Sequence, residues 1–108
     1  MRILFDHGTP RGLARLLEGH TVEEASTLGW DTLGNGELLR AAESAGFQVL
    51  ITTDQNLPYQ QNLTGRKIGV VVLSSARWRL IERAAARVVA AVSKVNPGTY
   101  LVVEIPPV

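Results

Sequence analysis

Four short apolar runs divide the chain, each rich in branched residues and bounded by polar or glycine positions. They occupy residues 3–5, 49–51, 70–73 and 101–103. Because these runs do not alternate between apolar and polar residues, they predict strands buried on both faces, as in a parallel sheet. A weaker fifth strand is predicted at residues 20–24, where the charges indicate an edge position.

The segments between these runs predict helices. A first helix is expected after Thr9, acting as N-cap, with Pro10 in its first turn. Asn35 is expected to cap a second helix, and helical spacing of apolar residues predicts a third over residues 77–95. This order predicts a three-layer α/β/α sandwich with a mainly parallel sheet of four or five strands, in a single domain over residues 1–108.

Composition narrows the class of protein. With 45% hydrophobic and 19% charged residues, the chain is too apolar and too balanced for a disordered tail. The absence of cysteine removes disulfides, thiolate zinc sites and cysteine catalysis. The net charge of +1 leaves only a local patch for nucleic-acid binding. With neither a signal peptide nor an apolar stretch of about 20 residues, we expect a soluble, cytoplasmic domain without membrane contact.

Polar residues that follow the predicted strands are the candidate chemistry. Asp6 follows the first run and Asp54 follows the second, so both carboxylates lie at one sheet edge if these strands are parallel neighbours. Glu37, in the first turn of the second helix, is a third carboxylate expected at that edge. Such an all-oxygen set suits Mg²⁺ or Mn²⁺. Each acid also has a structural explanation, as a helix cap or as a charge favoured by the helix dipole.

Arg79 and Arg83 lie four residues apart on the third predicted helix. This spacing places both guanidinium groups on one helix face, where they could hold phosphates of a nucleic acid. The same pattern is typical of the solvent-exposed face of an amphipathic helix, and Glu82 interrupts the ridge. The sequence alone does not decide between these two interpretations.

Three segments together resemble a family of short bacterial PIN-like proteins: residues 3–10 (ILFDHGTP), 35–39 (NGELL) and 49–57 (VLITTDQNL). PIN domains are α/β/α nucleases, many of them toxin ribonucleases of toxin–antitoxin pairs, and they hold Mg²⁺ or Mn²⁺ with acids at the carboxyl edge of the sheet. The resemblance implies that Asp6 corresponds to the first-strand acid and Asp54 to the acid of the Thr-x-Asp turn.

The chain departs from that family at two positions. Asn35 stands where related chains tend to carry an acid, which leaves Glu37 as a substitute, and Asn56 stands where a second acid often follows Asp54. The resemblance therefore implies two matching carboxylates and one substitute, whereas a two-metal arrangement needs several bridging acids.

The leading hypothesis is a metal-dependent ribonuclease, with Mg²⁺ or Mn²⁺ held by Asp6, Glu37 and Asp54 as catalytic residues. Substrate or metal-bound water would be oriented by polar and basic residues, namely Asn35, Thr53, Asn56, Arg79 and Arg83. The alternative is a catalytically inactive PIN-like scaffold that binds RNA or a partner protein. An antitoxin-like partner and a homodimer are the expected protein partners. A phospho-accepting receiver domain is disfavoured because the acidic pair and the lysine it needs are missing.

Overall fold

A computed structural model describes residues 1–107, and in that part of the chain five strands form one sheet. The strands are β1 (Arg2–Phe5), β2 (Thr21–Glu24), β3 (Val49–Thr52), β4 (Gly69–Leu73) and β5 (Tyr100–Val103). Their order is β2-β1-β3-β4-β5, and every neighbouring pair is parallel. The predicted sheet is therefore confirmed, including the edge position of the weak second strand.

Helices cover both faces of this sheet, which gives the three predicted layers. They are a 3₁₀ helix (Arg11–Leu16), α1 (Asn35–Ser44), α2 (Leu57–Gln60), α3 (Trp78–Arg83) and α4 (Ala85–Lys94). The 3₁₀ helix, α3 and α4 pack on one face, and α1 and α2 pack on the other. Within residues 1–107, no helix has the length and apolar character needed to cross a membrane.

Two apolar clusters, one on each face, form the core because side chains alternate along each strand. Ile3, Phe5 and Ile51 face the cluster under the 3₁₀ helix, α3 and α4. Leu4 and Leu50 face the cluster under α1 and α2. β3 and β4 are buried along their whole length, which explains why their sequence runs do not alternate.

The first predicted helix differs from the expectation in type and in cap. It is a six-residue 3₁₀ helix whose N-cap is Pro10, and its interior contains Gly12, which disfavours α-helix. The predicted cap, Thr9, is 6% exposed and donates its hydroxyl to the carbonyl oxygen of Ile51 at 3.0 Å. Its side chain therefore bonds the loop that follows β1 to the neighbouring strand, β3, and does not cap the helix.

The third predicted helix is two helices, because the backbone breaks at Ala84. Ala84 has φ −102° and ψ 18°, outside the helical range, and it is 7% exposed. The two halves have different packing partners: α3 contacts the 3₁₀ helix, whereas α4 contacts β4 and β5. A single straight helix along the predicted range would not serve both contacts.

The crossover from β4 to β5 has the opposite hand to the crossover from β1 to β2. Both connections lie on the same face of the sheet, yet they step towards opposite edges. Nearly all parallel crossovers share one hand, so one opposite hand is unusual. It leaves the other face of β5 without a helix, and there Tyr100 and Val102 are 37% and 44% exposed.

Candidate functional site at the carboxyl edge

The strand order reverses between the neighbouring strands β1 and β3. From β1 the chain steps to β2 on one side and then returns to β3 on the other side of β1. Ligands of open α/β sheets bind at such a reversal of strand order. Asp6 follows β1 directly, and Asp54 follows β3 after one intervening residue. The predicted neighbourhood of these two strands is confirmed by their parallel pairing.

Thr52, at the end of β3, links the two aspartates. Its hydroxyl donates a hydrogen bond to Asp6 Oδ2 at 2.7 Å and accepts one from the backbone N–H of Asp54 at 3.0 Å. Thr52 is fully buried, whereas both aspartates are partly exposed. A buried hydroxyl that forms two hydrogen bonds fixes the position of both partners, because moving either one would leave a polar group unpaired.

The carboxylate of Asp54 is oriented by two further donors. The backbone N–H of Asn56 donates to Asp54 Oδ1 at 2.9 Å, which closes a turn leading into α2. The Asn35 side-chain amide donates to Asp54 Oδ2 at 3.0 Å from the first turn of α1. The structure thus turns the Asn35 amide to Asp54. The predicted capping role of Asn35 is wrong, because the N-cap of α1 is Gly34 and Asn35 is the first helical residue.

The loop that carries Asp6 is fixed by local bonds. The backbone N–H of His7 donates to Asp6 Oδ1 at 2.7 Å, and the N–H of Thr9 donates to the Asp6 carbonyl oxygen at 3.1 Å. Gly8 has φ +95°, and a Cβ built there would lie 3.3 Å from Thr53 Oγ1. The glycine therefore allows the left-handed backbone and lets the β1 loop approach the half-buried Thr53.

Glu37 is not grouped with the two aspartates. Its carboxylate accepts a hydrogen bond at 3.3 Å from the backbone N–H of Gly34, the N-cap of α1, and its side chain is exposed. Within residues 1–107, no group of three or more His, Cys, Asp or Glu side chains is arranged to hold a metal ion. The expected three-carboxylate set of Asp6, Glu37 and Asp54 is therefore not assembled, and Glu37 instead bonds the backbone at the start of its own helix.

The two remaining carboxylates have acceptor positions left for a ligand. Each accepts two hydrogen bonds, one on each oxygen, although an ionised carboxylate offers about four acceptor positions. Mg²⁺ keeps several of its waters and is commonly bound by one or two carboxylates together with substrate phosphates. Asp6 and Asp54 are residues of that kind, whereas bridging a metal pair needs more acids than this edge provides.

The other predicted substrate residues lie at the start of α2 and on α3. Asn56 is exposed at the start of α2, and its side chain does not cap that helix. Arg79 and Arg83 are exposed on α3, where they line a groove together with Arg77, Trp78 and Leu80. The helix carrying them begins shortly after the carboxyl end of β4, so the arginines belong to the same end of the molecule as the aspartates.

Thr52 is the site residue that sequence reasoning missed. Thr52 is the threonine of the Thr-x-Asp motif, yet the predicted site residues include Thr53 and not Thr52, whose hydroxyl joins the aspartates. A signal was present: Thr52 is the polar end of an otherwise apolar strand run. A buried strand end needs a partner for its hydroxyl, and a neighbouring carboxylate supplies one.

Comparison with known proteins adds no family to this description: no family model, no curated protein and no solved structure matches the chain.

Proposed function

We propose that this protein is a Mg²⁺- or Mn²⁺-dependent ribonuclease of PIN-like type, with its site at Asp6 and Asp54. The observation that carries the proposal is the pair of aspartates at the reversal of strand order, held in one network by the buried Thr52. The motif resemblance supports the same two residues. The Glu37 carboxylate has no part in the site.

The aspartates would supply ligands, and the residues around them would supply orientation. A divalent ion bound there would polarise a phosphodiester and lower the pKa of a bound water. Thr52 and Asn35 would hold the two carboxylates in place through their existing hydrogen bonds. Thr53 and Asn56 would face the phosphate or its water from the turn after β3, because they flank Asp54 in that turn.

The test combines metal binding with RNA cleavage for three acid-to-amide variants. Asp6→Asn and Asp54→Asn each remove one charge from the site, whereas Glu37→Gln makes the equivalent change at an exposed helix start. Mn²⁺ is titrated into isotope-labelled protein while NMR records which amides broaden. Cleavage of a labelled single-stranded RNA is measured in Mg²⁺ or Mn²⁺ and again in EDTA.

We expect selective broadening at the loops after β1 and β3, together with metal-dependent cleavage. Asp6→Asn and Asp54→Asn should each weaken both signals by at least about tenfold, and Glu37→Gln should leave both near wild type. Uniform broadening, or cleavage that survives both aspartate variants, would refute the proposed site.

A second candidate function is a PIN-like scaffold that binds RNA or a partner protein without cleaving RNA. The observation that favours it is that the described chain assembles two acids, not three, at the edge. Metal-independent RNA binding without cleavage, unchanged in Asp6→Asn, would select this alternative. An antitoxin-like partner and a homodimer stay predictions, for which copurification and sedimentation are the respective measurements.

A further inference from the structure

A groove on the surface of α3 combines positive charge with an aromatic ring. We call it the arginine groove and define it by its lining residues, which are Arg77, Trp78, Arg79, Leu80 and Arg83. Its volume is about 630 Å³, the largest among the grooves described for this molecule. Its lining combines two apolar side chains, Trp78 and Leu80, with three arginines.

The guanidinium groups of this groove have no carboxylate partner among residues 1–107. Salt bridges are formed by three other arginines, in the pairs Arg2–Glu23, Arg11–Glu24 and Arg66–Glu43. In the described residues, arginines without a salt bridge also occur singly elsewhere, at positions 15, 40 and 87, but the groove brings three of them together. Glu82 belongs to α3 but does not line the groove and forms no salt bridge in the described chain. The three unpaired charges therefore favour an anionic ligand.

Trp78 of the groove packs against the 3₁₀ helix, which follows the Asp6 loop in the chain. A Cβ built on Gly12 would lie 2.7 Å from a carbon of the indole ring, so the ring packs directly against the glycine backbone of the 3₁₀ helix. That helix begins five residues after Asp6. The rest of the half-buried ring lines the groove. The groove thus borders the helix that follows the Asp6 loop in the chain.

We propose that the arginine groove binds single-stranded RNA beside the Asp6–Asp54 site, with a base stacked on Trp78 and phosphates held by Arg79 and Arg83. This inference rests on the proposed function and adds the surface that would hold its RNA substrate, the groove on α3. Arginines bind phosphates, and an aromatic ring next to them offers stacking that only an unpaired base can reach. A duplex keeps its base faces stacked internally and would not use the ring.

The first experiment measures RNA binding without cleavage. A fluorescent uridine oligonucleotide is titrated with the protein in EDTA at several salt concentrations. The double variant Arg79→Gln with Arg83→Gln is compared with a charge-matched control, Arg40→Gln with Lys67→Gln, whose two exposed residues lie outside the groove. Loss of two phosphate contacts should reduce the slope of log K against log salt by about 1.4. The control should keep the wild-type slope.

The second experiment reads the aromatic ring directly. The protein has two tryptophans, and Trp30 contacts Phe47 in the cluster on the opposite face of the sheet. In a Trp30→Phe variant, the remaining tryptophan emission therefore reports Trp78 alone. We expect the uridine oligonucleotide to quench this emission, whereas an RNA duplex of the same length should leave it nearly unchanged. Trp78→Leu should weaken binding by at least about fivefold.

The outcomes separate this inference from the proposed ribonuclease. If Asp6→Asn abolishes cleavage but keeps wild-type binding in EDTA, both the site and the separate groove are supported. If the groove variant binds RNA like its control, or if Trp78 emission does not respond, the groove proposal is wrong even where cleavage persists. Displacement of the RNA by polyglutamate at equal charge concentration would also refute it, because the groove would then select acidic peptide.

Discussion

Replacing Thr52 by valine tests the central bond network of the site. Valine keeps the shape of threonine and its preference for a buried strand, but it removes the hydroxyl. The change therefore deletes the bond to Asp6 Oδ2 at 2.7 Å and the acceptor for the Asp54 N–H at 3.0 Å. Thr53→Val is the matched control, because Thr53 is half-buried and its hydroxyl forms no bond within the described residues.

The expected loss follows from the burial of Thr52 and the charge of its partner. A hydrogen bond to a charged group contributes about 1.5–3 kcal/mol, and an unpaired N–H costs about 1 kcal/mol more. The added methyl group of valine, in a position that is 0% exposed, offsets up to about 0.8 kcal/mol. We therefore expect Thr52→Val to lower the free energy of unfolding by about 2 kcal/mol, which corresponds to a Tm decrease of about 9 °C.

Urea unfolding followed by circular dichroism measures this difference. The midpoint should fall while the m-value stays at the wild-type value, since the surface exposed on unfolding is unchanged. Thr53→Val should change the free energy of unfolding by less than about 0.5 kcal/mol. If the two valine variants were equally stable, the Thr52 hydroxyl would not be the link between the aspartates, and the argument for a fixed pair would fail.

Three further changes test packing and electrostatics elsewhere in the fold. Gly12→Ala should destabilise by about 1 kcal/mol in a thermal melt, because crowding against the Trp78 ring outweighs the gain in helix propensity; a higher Tm would contradict this. Gly98→Ala should cost about 1–2 kcal/mol, because Gly98 has φ +77°, and wild-type stability would show that the turn adapts. Tyr59 raises the pKa of Tyr100 through Coulombic repulsion and a side-chain hydrogen bond. Tyr59→Phe should lower that pKa towards 10.0 in a tyrosinate absorbance titration, and an unchanged pKa would show that Tyr59 does not act on Tyr100.

The Tyr59–Tyr100 pair also predicts how the stability of the fold changes at alkaline pH. The pKa of Tyr100 is higher in the folded chain than its ordinary value of 10.0. The folded state thus favours the protonated phenol, and this contribution is present below the ordinary pKa and is lost as the pH rises through the raised one. Tyr59→Phe should therefore make the decline of stability in that range shallower than in the wild-type protein.

The sequence by itself determined the layers and the position of the aspartates. Runs such as residues 70–73 are apolar at every position, and a strand can satisfy that pattern only when both of its faces are covered. Parallel strands place their carboxyl ends at one edge, so Asp6 and Asp54 had to share it once their strands were neighbours. The layers follow from local pattern alone, whereas the shared edge of the two aspartates also required β1 and β3 to be neighbours, which the structure supplies.

Only the tertiary structure decided what several polar side chains do. Thr9 and Glu37 carry the sequence signals of a cap and of a ligand, respectively. Thr9 instead bonds the Ile51 carbonyl oxygen, 42 positions away, and Glu37 accepts a hydrogen bond from the backbone N–H of Gly34. Such choices depend on which acceptor or donor the folded chain brings within about 3 Å, and the sequence pattern around a residue does not contain that distance.

The path of the crossover from β4 to β5 was likewise not predictable from the sequence. Helical spacing over residues 77–95 fits one helix on either face of the sheet equally well. The break at Ala84 and the choice of face follow from packing against the 3₁₀ helix, a segment more than 60 positions earlier in the chain. That choice brings Trp78 onto Gly12 and leaves Tyr100 uncovered, because contacts between distant segments determine which surfaces are buried and which stay free to bind.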